Sequence, residues 1–340
     1  MNYKPSIPKR YTSNSNLETM TLPFEWKGTP LDADGRFTNQ EFKFNDSILE
    51  LLKWQTMVNP QKDEKKNSTW KLDCKTDSHF LESKEDCIVW LGHASFFIRL
   101  GGTTLLIDPI LFDISFIKRK VAFPVDPYRL TNIDYILISH DHRDHCDEKS
   151  LNVLAKNNPK AIYLTGLNVD KVIKTITKSN STQAAGWYQQ FQTTSPLTIT
   201  YVPSRHWGRR YITDTNIRLW GGFMIQGMGK TIYFGGDSGY GKHFAEIGRA
   251  FPTIDYAMIG IGAYKPEFFM EQSHMSPTDS FQAIKDLNTT HMIPMHYGTF
   301  DLSDEPIGDP IHVLRQEQEK QPMNTEILYV CAGEIITMNA

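Results

Sequence analysis

Short apolar runs separated by glycines mark the chain from residue 87 onward. Three runs follow one another closely: Ile88–Leu91, Ser95–Leu100 and Thr103–Ile107, with Gly92 and the pair Gly101-Gly102 between them. Short runs rich in β-branched and aromatic residues and bounded by glycine are typical of buried strands. The pattern therefore predicts a β-meander joined by tight turns.

Further runs predict strands that alternate with helices along the rest of the chain. The strands are expected at 133–138, 161–165, 198–203, 217–226, 231–234, 256–261 and 292–295. Apolar residues at helical spacing predict helices at 48–54, 148–156, 169–177, about 240–250 and 277–287. This alternation predicts an α/β fold in which two mixed β-sheets pack face to face with helices outside.

The first 85 residues have a different character. Prolines and glycines interrupt residues 1–45, and residues 61–86 are charged and polar, typical of a linker. We expect residues 1–85 to be an N-terminal extension with one helix, packed on the core. Residues 86–340 would then form one large α/β domain, because a chain of 340 residues can bury a single core of this size.

Composition argues against several classes of protein. A net charge of -3, from 36 basic and 39 acidic residues, gives no overall field for a nucleic-acid backbone, so no nucleic-acid partner is expected. Four cysteines without paired spacing indicate free thiols in a reducing compartment: Cys74, Cys87, Cys146 and Cys331. No apolar run suits a signal peptide or a membrane span, so we expect a cytoplasmic protein.

Side chains that bind metals crowd together where one predicted strand ends. The strand at 133–138 is followed directly by His140, His142, Asp144 and His145. In open α/β sheets, ligands bind beyond the carboxyl ends of the strands. His140 and His142 alternate and would project to one side of an extended segment, whereas Asp144 and His145 follow on a turn and can face a second point. One short loop could therefore serve two metal ions.

Three more potential ligands, His206, Asp237 and His296, also lie just after predicted strands. Imidazoles and carboxylates suit zinc, iron or manganese, and a site for two metals needs a carboxylate that can bridge them. A hydrogen-bonded core or surface role is the alternative, and we prefer it for isolated histidines such as His243. For the dense run 140–145 we prefer metal binding, because so many ionisable groups would repel one another without a cation.

These residues also resemble a known family. The run 140–145 matches the HxHxDH signature of the metallo-β-lactamase fold, and His206, Asp237 and His296 follow in the order of its later ligands. Over about residues 85 to 305 the chain resembles the N-acyl-phosphatidylethanolamine-hydrolysing phospholipase D branch. The segments that carry this second resemblance are 90–95, 107–109, 204–210, 235–240 and 296–300.

The resemblance implies an αββα sandwich, with residues 86–340 as its catalytic domain, and it divides the ligands between two divalent metals. The first metal would be held by His140, His142 and His206. The second would be held by Asp144, His145 and His296. Asp237 would bridge the two metals, and Asp108 would orient a ligand histidine from behind. Zinc is the expected metal, with iron or manganese as alternatives.

The resemblance also suggests which residues meet a substrate. Asp144 and His274 are the expected catalytic residues. His274 matches a family position near the substrate phosphate, and a helix-capping or surface role is the alternative for it. Arg205, Arg209 and Arg210 could hold an anionic phosphate, and we expect one of the three to do so. Two cations would lower the pKa of a shared water, so that a metal-bridging hydroxide could attack phosphorus.

The activity expected first is a phosphodiesterase of the phospholipase D type acting on a phospholipid or another small molecule. A lactonase or other acyl hydrolase on the same site is the alternative, since fold resemblance does not separate these substrates. A di-iron redox protein is less favoured, because that class usually has Glu where this chain has His142. A serine nucleophile at Ser238 is disfavoured, because the elbow pattern GxSxG is absent.

A segment after the third run of the meander suggests a peripheral membrane contact. Residues 110–123 combine Phe112 and Phe116 with the consecutive cations Lys118, Arg119 and Lys120. Apolar groups beside cations suit the interface of an anionic membrane. A loop packed on the N-terminal helix, with its cations in water, is the alternative that we favour. A homodimer is a further open expectation.

Overall fold

The strands of the protein form two large sheets and one two-stranded ribbon. A computed structural model describes residues 8–45, 47–321 and 323–338. Within these ranges the strands are β1 Arg10–Thr12, β2 Glu18–Thr19, β3 Thr29–Leu31, β4 Cys87–Gly92, β5 Ser95–Leu100, β6 Thr103–Ile107, β7 Tyr135–Ile138, β8 Ile162–Gly166, β9 Thr182–Ala185, β10 Gln189–Gln190, β11 Thr198–Val202, β12 Gly222–Gly227, β13 Lys230–Phe234, β14 Ile254–Gly260, β15 Thr289–Met295, β16 Glu326–Ile327 and β17 Ile335–Thr337. The α-helices are α1 Ile48–Thr56, α2 Lys62–Asn67, α3 Glu148–Asn157, α4 Val169–Thr177, α5 His243–Ala250, α6 Glu267–Met270, α7 Pro277–Leu287 and α8 Asp309–Lys320.

Both large sheets are mixed, as predicted. The first has the order β17-β4-β5-β6-β7-β8-β9, and the second has the order β16-β15-β14-β13-β12-β11-β10-β2. Strands β4 to β6 are antiparallel and form the predicted meander, in which Phe97 pairs with Leu106. Strands β6 to β9 and β13 to β16 run parallel, as expected for strands joined through helices.

Alternate side chains of the first sheet enter two different layers of the core. On β4, Ile88 and Trp90 point into a large cluster that includes Phe223 and Phe234 from the second sheet. The residues between them, such as Val89, belong to a second cluster shared with helices α3 and α4. Because strand side chains alternate between the two faces, a sheet that is apolar on both faces must be covered on both. Helices α5, α7 and α8 contact one another beside the second sheet, which completes the predicted αββα sandwich.

The N-terminal region is more ordered than its composition indicated. Residues 1–45 were expected to be irregular, but β1 pairs with β3, and β2 pairs with β10 at the edge of the second sheet. A partner 170 residues away along the chain is invisible to local pattern. The expectation of one helix in this region is also wrong. The stretch assigned to a linker forms α2, whose Asp63 and Glu64 lie in its first turn and whose Lys65 and Lys66 lie in its last, the order that the helix dipole favours.

One further strand was placed too early. The predicted run 217–226 becomes β12 at Gly222–Gly227, because the residues before it form a loop that packs on the metal-ligand segment, as described below. The helices predicted at 148–156, 169–177 and 277–287 are confirmed as α3, α4 and α7. None of the helices in the described part of the chain is long and apolar enough to cross a bilayer.

Candidate metal centre

Five strands deliver polar side chains to one edge of the sandwich. Asp108 follows β6, His140 follows β7, His206 lies beyond β11, Asp237 beyond β13, and His296 directly after β15. In each case a buried apolar strand stops and the polar residue begins the following loop. The two sheets face each other, so the loops from both converge on a single cleft.

Three imidazoles form a first group. His142 Nδ1 lies 2.9 Å from His140 Nε2 and 3.1 Å from His206 Nε2. The His142 ring stands at 77° to the His140 ring and at 76° to the His206 ring, so the nitrogens face one another across a common space. These three residues are the set expected to hold the first metal.

The second group contains Asp144, His145 and His296. Asp144 Oδ2 lies 3.6 Å from His145 Nε2 and 3.7 Å from His296 Nε2. Asp237 lies between the two groups. Its Oδ2 is 3.1 Å from His145 Nε2 and 3.2 Å from His296 Nε2. The same oxygen is 4.0 Å from His140 Nε2 in the first group, the placement that a bridging carboxylate requires.

Hydrogen bonds from behind fix the orientation of the imidazoles. Asp108 Oδ2 accepts from His145 Nδ1 at 2.7 Å, while Ser139 N donates to Asp108 Oδ1 at the same distance. His206 Nδ1 donates to the carbonyl of Ser273 at 2.9 Å. Each of these bonds leaves the Nε2 atom of the ring facing the cleft, and such outer contacts commonly set the tautomer of a ligand histidine.

The electrostatics of the two groups differ. Burial, aided by neighbouring imidazoles, lowers the pKa of His140 and His206 well below the ordinary value, so both rings are neutral. Burial opposes ionisation of Asp237, but His145 and His296 hold its pKa well below its usual range. Burial would lower the pKa of His296, yet Asp237 and Asp144 raise it to about 9. The imidazoles of the first group are therefore neutral, whereas His296 in the second group would release a proton when a cation binds. Neutral imidazoles beside ionised carboxylates, the state reached on binding, are a donor set that suits a divalent cation.

Unsatisfied buried atoms also fit metal binding. Among the described residues, Asp237 Oδ1 is buried without a hydrogen-bond partner, and His145 Nε2 and His296 Nε2 are buried with ion-pair contacts to Asp237 Oδ2 but no hydrogen bond. A buried polar atom left unpaired costs roughly 1–3 kcal/mol, so several together need an explanation. Cations held at these atoms would satisfy them. The donors fall into groups whose ligand atoms lie within 4.8 Å of one another, and the residues present therefore fit the expected metals.

The three arginines proposed for substrate binding have different environments. Arg210 is buried, and its Nη1 donates to the carbonyls of Asp141 and Cys146 at 3.1 and 2.9 Å. The guanidinium of Arg205 donates to the carbonyl of Tyr240 at 2.7 Å. Backbone acceptors thus hold the Arg210 side chain inside the protein and fix the partly buried side chain of Arg205. Arg210 is therefore removed from the three candidates, and the expectation that one of them holds a phosphate stays a prediction. The long-range packing that supplies these carbonyls leaves no local sign in the sequence.

Arg209 and His274 remain at the open side of the cleft. Arg209 is exposed, and its guanidinium carbon lies 5.1 Å from the centre of the Trp207 ring. That ring contacts His142 edge-on at 4.6 Å. His274 Nδ1 lies 3.9 Å from Asp237 Oδ2, and its side chain is partly exposed. A cationic side chain and an imidazole therefore border the two ligand groups.

Two contacts near the ligand groups have little or no sign in the local sequence. His93, whose role had no assignment, lies 3.1 Å through Nε2 from Asp144 Oδ2. Asp141, inside the metal-ligand loop, turns inward and is bound by Arg218, which also binds Asp214. Asp141 and Arg218 are 77 positions apart in the sequence, so their spacing does not indicate that they form an ion pair. A histidine in a turn between two buried strands was the one visible sign for His93.

The segment 110–123 is largely structural. The Arg119 guanidinium donates to the carbonyls of Ile110 and Leu91 at 2.8 and 3.0 Å, so of the three consecutive cations this one is held by the protein. Phe112 is half-buried under the Lys149 side chain, whose nitrogen lies 4.0 Å from its ring centre. Only Phe116, Lys118 and Lys120 keep the exposure that an interfacial contact needs.

Comparison with known families agrees with this geometry. The family model described as "Beta-lactamase superfamily domain" matches residues 103–297, more than half of the chain. The chain belongs to the beta-lactamase superfamily. The match contains all seven expected ligands, from His140 in the loop after β7 to His296 near its end.

Individual superfamily members are similar to the chain at about 30% identity. One is N-acyl-phosphatidylethanolamine-hydrolyzing phospholipase D 1 of Caenorhabditis elegans, 30% identical over 72% of this chain and 74% of its own. Another is the mitochondrial N-acyl-phosphatidylethanolamine-hydrolyzing phospholipase D of Saccharomyces cerevisiae, 31% identical over 65% of this chain. The chain spans 49% of the length of that yeast protein.

Solved structures support the same fold. The metallo hydrolase Igni18 of Ignicoccus hospitalis matches 75% of this chain and 99% of its own, with a TM-score of 0.59 and 21% identity. CmlA, a diiron β-hydroxylase of Streptomyces venezuelae, matches 75% of this chain and 55% of its own, with a TM-score of 0.55 and 17% identity. At such low identities these similarities show the shared sandwich alone.

Proposed function

We propose that this protein, a metal-dependent hydrolase of the beta-lactamase superfamily, is a phosphodiesterase of the phospholipase D type. One observation carries the proposal. The two ligand groups are complete, and Asp237 Oδ2 lies within 4.0 Å of imidazoles from both. A non-catalytic protein of this fold would have no need to keep seven such donors together. Similarity to two proteins named as phospholipases D supports the substrate class.

The ligand residues have the roles expected from the family. His140, His142 and His206 would hold one cation. Asp144, His145 and His296 would hold the other, and Asp237 would contact both. Two bound cations would supply hydroxide at neutral pH and neutralise the charge that develops on a phosphate. We propose zinc for both positions, because a set dominated by imidazole with carboxylates suits it and needs no redox chemistry.

The chain's own residues at the mouth of the cleft would bind and orient the phosphate. His274 stands beside Asp237 and can donate a hydrogen bond to a phosphate oxygen. Arg209, held over the Trp207 ring, can add a bidentate charge-assisted contact. Asp144 is the ligand carboxylate that reaches the open side, with 21% of its side chain exposed against 2% for Asp237. It can accept the proton that the attacking water loses.

A substrate panel tests the proposal. Zinc-loaded protein should hydrolyse a short-chain phosphodiester and an N-acylated phosphatidylethanolamine in mixed micelles with a higher kcat/KM than a panel of lactones. The alcohol and phosphate products are measured separately, so that the cleaved bond is known. If the lactones are the better substrates, the protein is an acyl hydrolase that uses the same ligands. Metal analysis with an absorption spectrum checks zinc against iron.

The His274 side chain provides a sharper test of phosphate recognition. His274→Ala should lower kcat for phosphodiesters by about 100-fold, the usual effect of losing a donor to a developing oxyanion, while the lactone rates change far less. His312→Ala is the control, because this exposed histidine lies on α8 and packs against Trp70. An equal loss with both substrate classes would contradict a role in phosphate binding.

A further inference from the structure

His93 occupies a turn that a histidine adopts at a cost. The β4–β5 hairpin turns through Gly92, His93 and Ala94, and the φ angle of His93 is 54°. That left-handed region is uncommon for residues other than glycine, and such conformations persist where the surrounding structure enforces them. Asp108 and His296, both at the metal centre, share this property with φ angles of 41° and 62°.

The backbone of His93 is fastened to the loop that carries His296. Its N–H donates to Thr299 Oγ1 at 2.7 Å. Its carbonyl accepts from Trp90 Nε1 at 2.9 Å and from His296 N at 3.0 Å. The turn is therefore held in a fixed position relative to one ligand of the second group.

The side chain of His93 is aimed at the other end of that group. The residue is 1% exposed, and its Nε2 lies 3.1 Å from Asp144 Oδ2. Its ring centre is 4.1 Å from that of His296 on one side, and Phe300 meets the ring edge-on at 5.2 Å. An ionised carboxylate can only accept a hydrogen bond, so His93 Nε2–H must be the donor. A nitrogen that donates in this way has no lone pair left for a metal.

We propose that His93 is a positioning residue that holds the Asp144 carboxylate in place for the second metal. Asp144 is the most exposed ligand of its group and lies on a loop, so without a second contact its carboxylate could rotate towards solvent. The hydrogen bond to Oδ2 fixes that rotation and leaves the remaining lone pairs for the cation. The inference rests on the two-metal site of the proposed function, but it does not depend on which substrate is cleaved.

Two substitutions separate the hydrogen bond from the packing. His93→Phe keeps a ring beside His296 and Phe300 but removes the donor. His93→Gln places an amide N–H near the position of Nε2. Both residues face the same left-handed backbone, so the strain is matched. Metal-free protein is titrated with zinc against a chromophoric chelator, and melting temperatures are recorded with and without metal.

Wild-type protein and His93→Gln should bind two zinc ions with similar affinities. His93→Phe should bind the first ion as wild type does and the second about 10 to 100 times more weakly. That is the usual effect of removing a side chain that hydrogen-bonds a metal ligand. Its metal-free melting temperature should match that of wild type, whereas the increase on adding zinc should shrink. Phe300→Leu, which alters the packing of the His93 ring and keeps its donor, should bind both ions as wild type does.

Three results would overturn the inference. Unchanged binding of both ions by His93→Phe would make His93 a packing residue. Loss of the second ion by His93→Gln, with its metal-free fold intact, would mean that the imidazole itself is a ligand. An equal weakening in Phe300→Leu would assign the effect to packing. The zinc titrations need no substrate, so they would still test the role of His93 if the protein did not cleave phosphodiesters. The proposal for His93 and the proposed activity can therefore be rejected independently.

Discussion

At the scale of single residues, the two ligand groups depend most on Asp237. Its carboxylate is the one group within 4.0 Å of imidazole nitrogens from both, in the part of the chain that the structure describes. His145 and His296 keep its pKa well below the usual range despite the opposing effect of burial, so it carries a charge that both metals would share.

Asp237→Ala should therefore abolish hydrolysis and reduce the metal content from two ions per chain to one or fewer. The fold should remain, because Asp237 lies beyond the end of β13 and supports no strand. Metal content is measured by elemental analysis, and folding by circular dichroism. Asp170→Ala, at a partly exposed pair with Lys174 on α4 that lies outside the two ligand groups, is the control and should leave both measurements unchanged. Retained activity with full metal content would remove Asp237 from the site.

Candidate ligands that stand close together in the chain can be found from the sequence, and their role as metal ligands stays a prediction. His140, His142, Asp144 and His145 stand together at a strand end, so their mutual repulsion was apparent from spacing alone. The arginines were predicted poorly, because the destination of a guanidinium depends on which carbonyls the fold brings near it. Arg210 finds those of Asp141 and Cys146, 69 and 64 positions away.

At the scale of structural elements, a buried ionic network of Arg218, Asp141 and Asp214 supports the metal-ligand loop of residues 140–145. Arg218 binds Asp141 in that loop and Asp214 in the loop that follows His206, and all three side chains are nearly buried. Asp214 Oδ1 also accepts from the backbone N–H groups of Arg210 and Tyr211. The network joins the loops that present the first ligand group. Burial opposes ionisation of Asp214, yet the Arg218 contact lowers its pKa below the usual value.

Arg218→Met should lower the free energy of unfolding by about 3 kcal/mol, because it leaves two buried carboxylates without their partner. Chemical denaturation of metal-free protein measures this directly. The control is Arg129→Met, which breaks an exposed pair with Glu82 and should cost less than about 1 kcal/mol. Equal effects of the two substitutions would show that the network adds no stability.

The elements found from sequence are those with a strong local period. Helix α4 was predicted at its observed bounds because its apolar residues repeat along one face. Strand β2 was missed, since two polar residues, Glu18 and Thr19, become a strand only through pairing with Gln189 and Gln190. Helix α2 was missed because it buries no side chain and shows no apolar period. Strand β2 depends on pairing with a distant part of the chain, and α2 lacks an apolar face, so neither element shows a local hydrophobic pattern.

At the scale of the whole molecule, the N-terminal region is packed against the catalytic sandwich. Leu17, Met20, Leu22, Phe24 and Trp26 lie against the main core, and Trp26 meets the Tyr188 ring edge-on at 4.8 Å. Asn39 donates to the carbonyl of His206 and accepts from its N–H, so the region also supports a proposed ligand. The division of the chain at residue 85 stays a prediction, and these contacts tie the two parts into one structure.

The hairpin of residues 114–117 offers a surface through which the cleft could reach a lipid. Ile114 and Ile117 exchange backbone hydrogen bonds of 3.0 and 2.8 Å, which places Ser115 and Phe116 at the tip. Phe116 is fully exposed, at 102%. The segment that follows the hairpin is held near the metal centre, because Lys120 N donates to the carbonyl of Thr299, three residues after His296, at 2.8 Å. We propose that Phe116 enters the head-group region while Lys118 and Lys120 face anionic lipid.

Phe116→Ser should weaken binding to vesicles that contain anionic phospholipid by about 10- to 150-fold, since removing one inserted aromatic side chain costs roughly 1.5–3 kcal/mol. Hydrolysis of a short soluble phosphodiester should not change, because the tip contacts no residue of the metal centre.

Phe112→Ser is the matched comparison: this phenylalanine packs under Lys149 and beside Tyr128, so its loss should lower the melting temperature and spare vesicle binding by the folded protein. Vesicle sedimentation at low and high salt measures both variants, and high salt should weaken wild-type binding by screening the two lysines. If the wild type binds no vesicles, or if Phe116→Ser impairs the soluble and lipid substrates equally, the hairpin is structural and the natural substrate is a soluble diester.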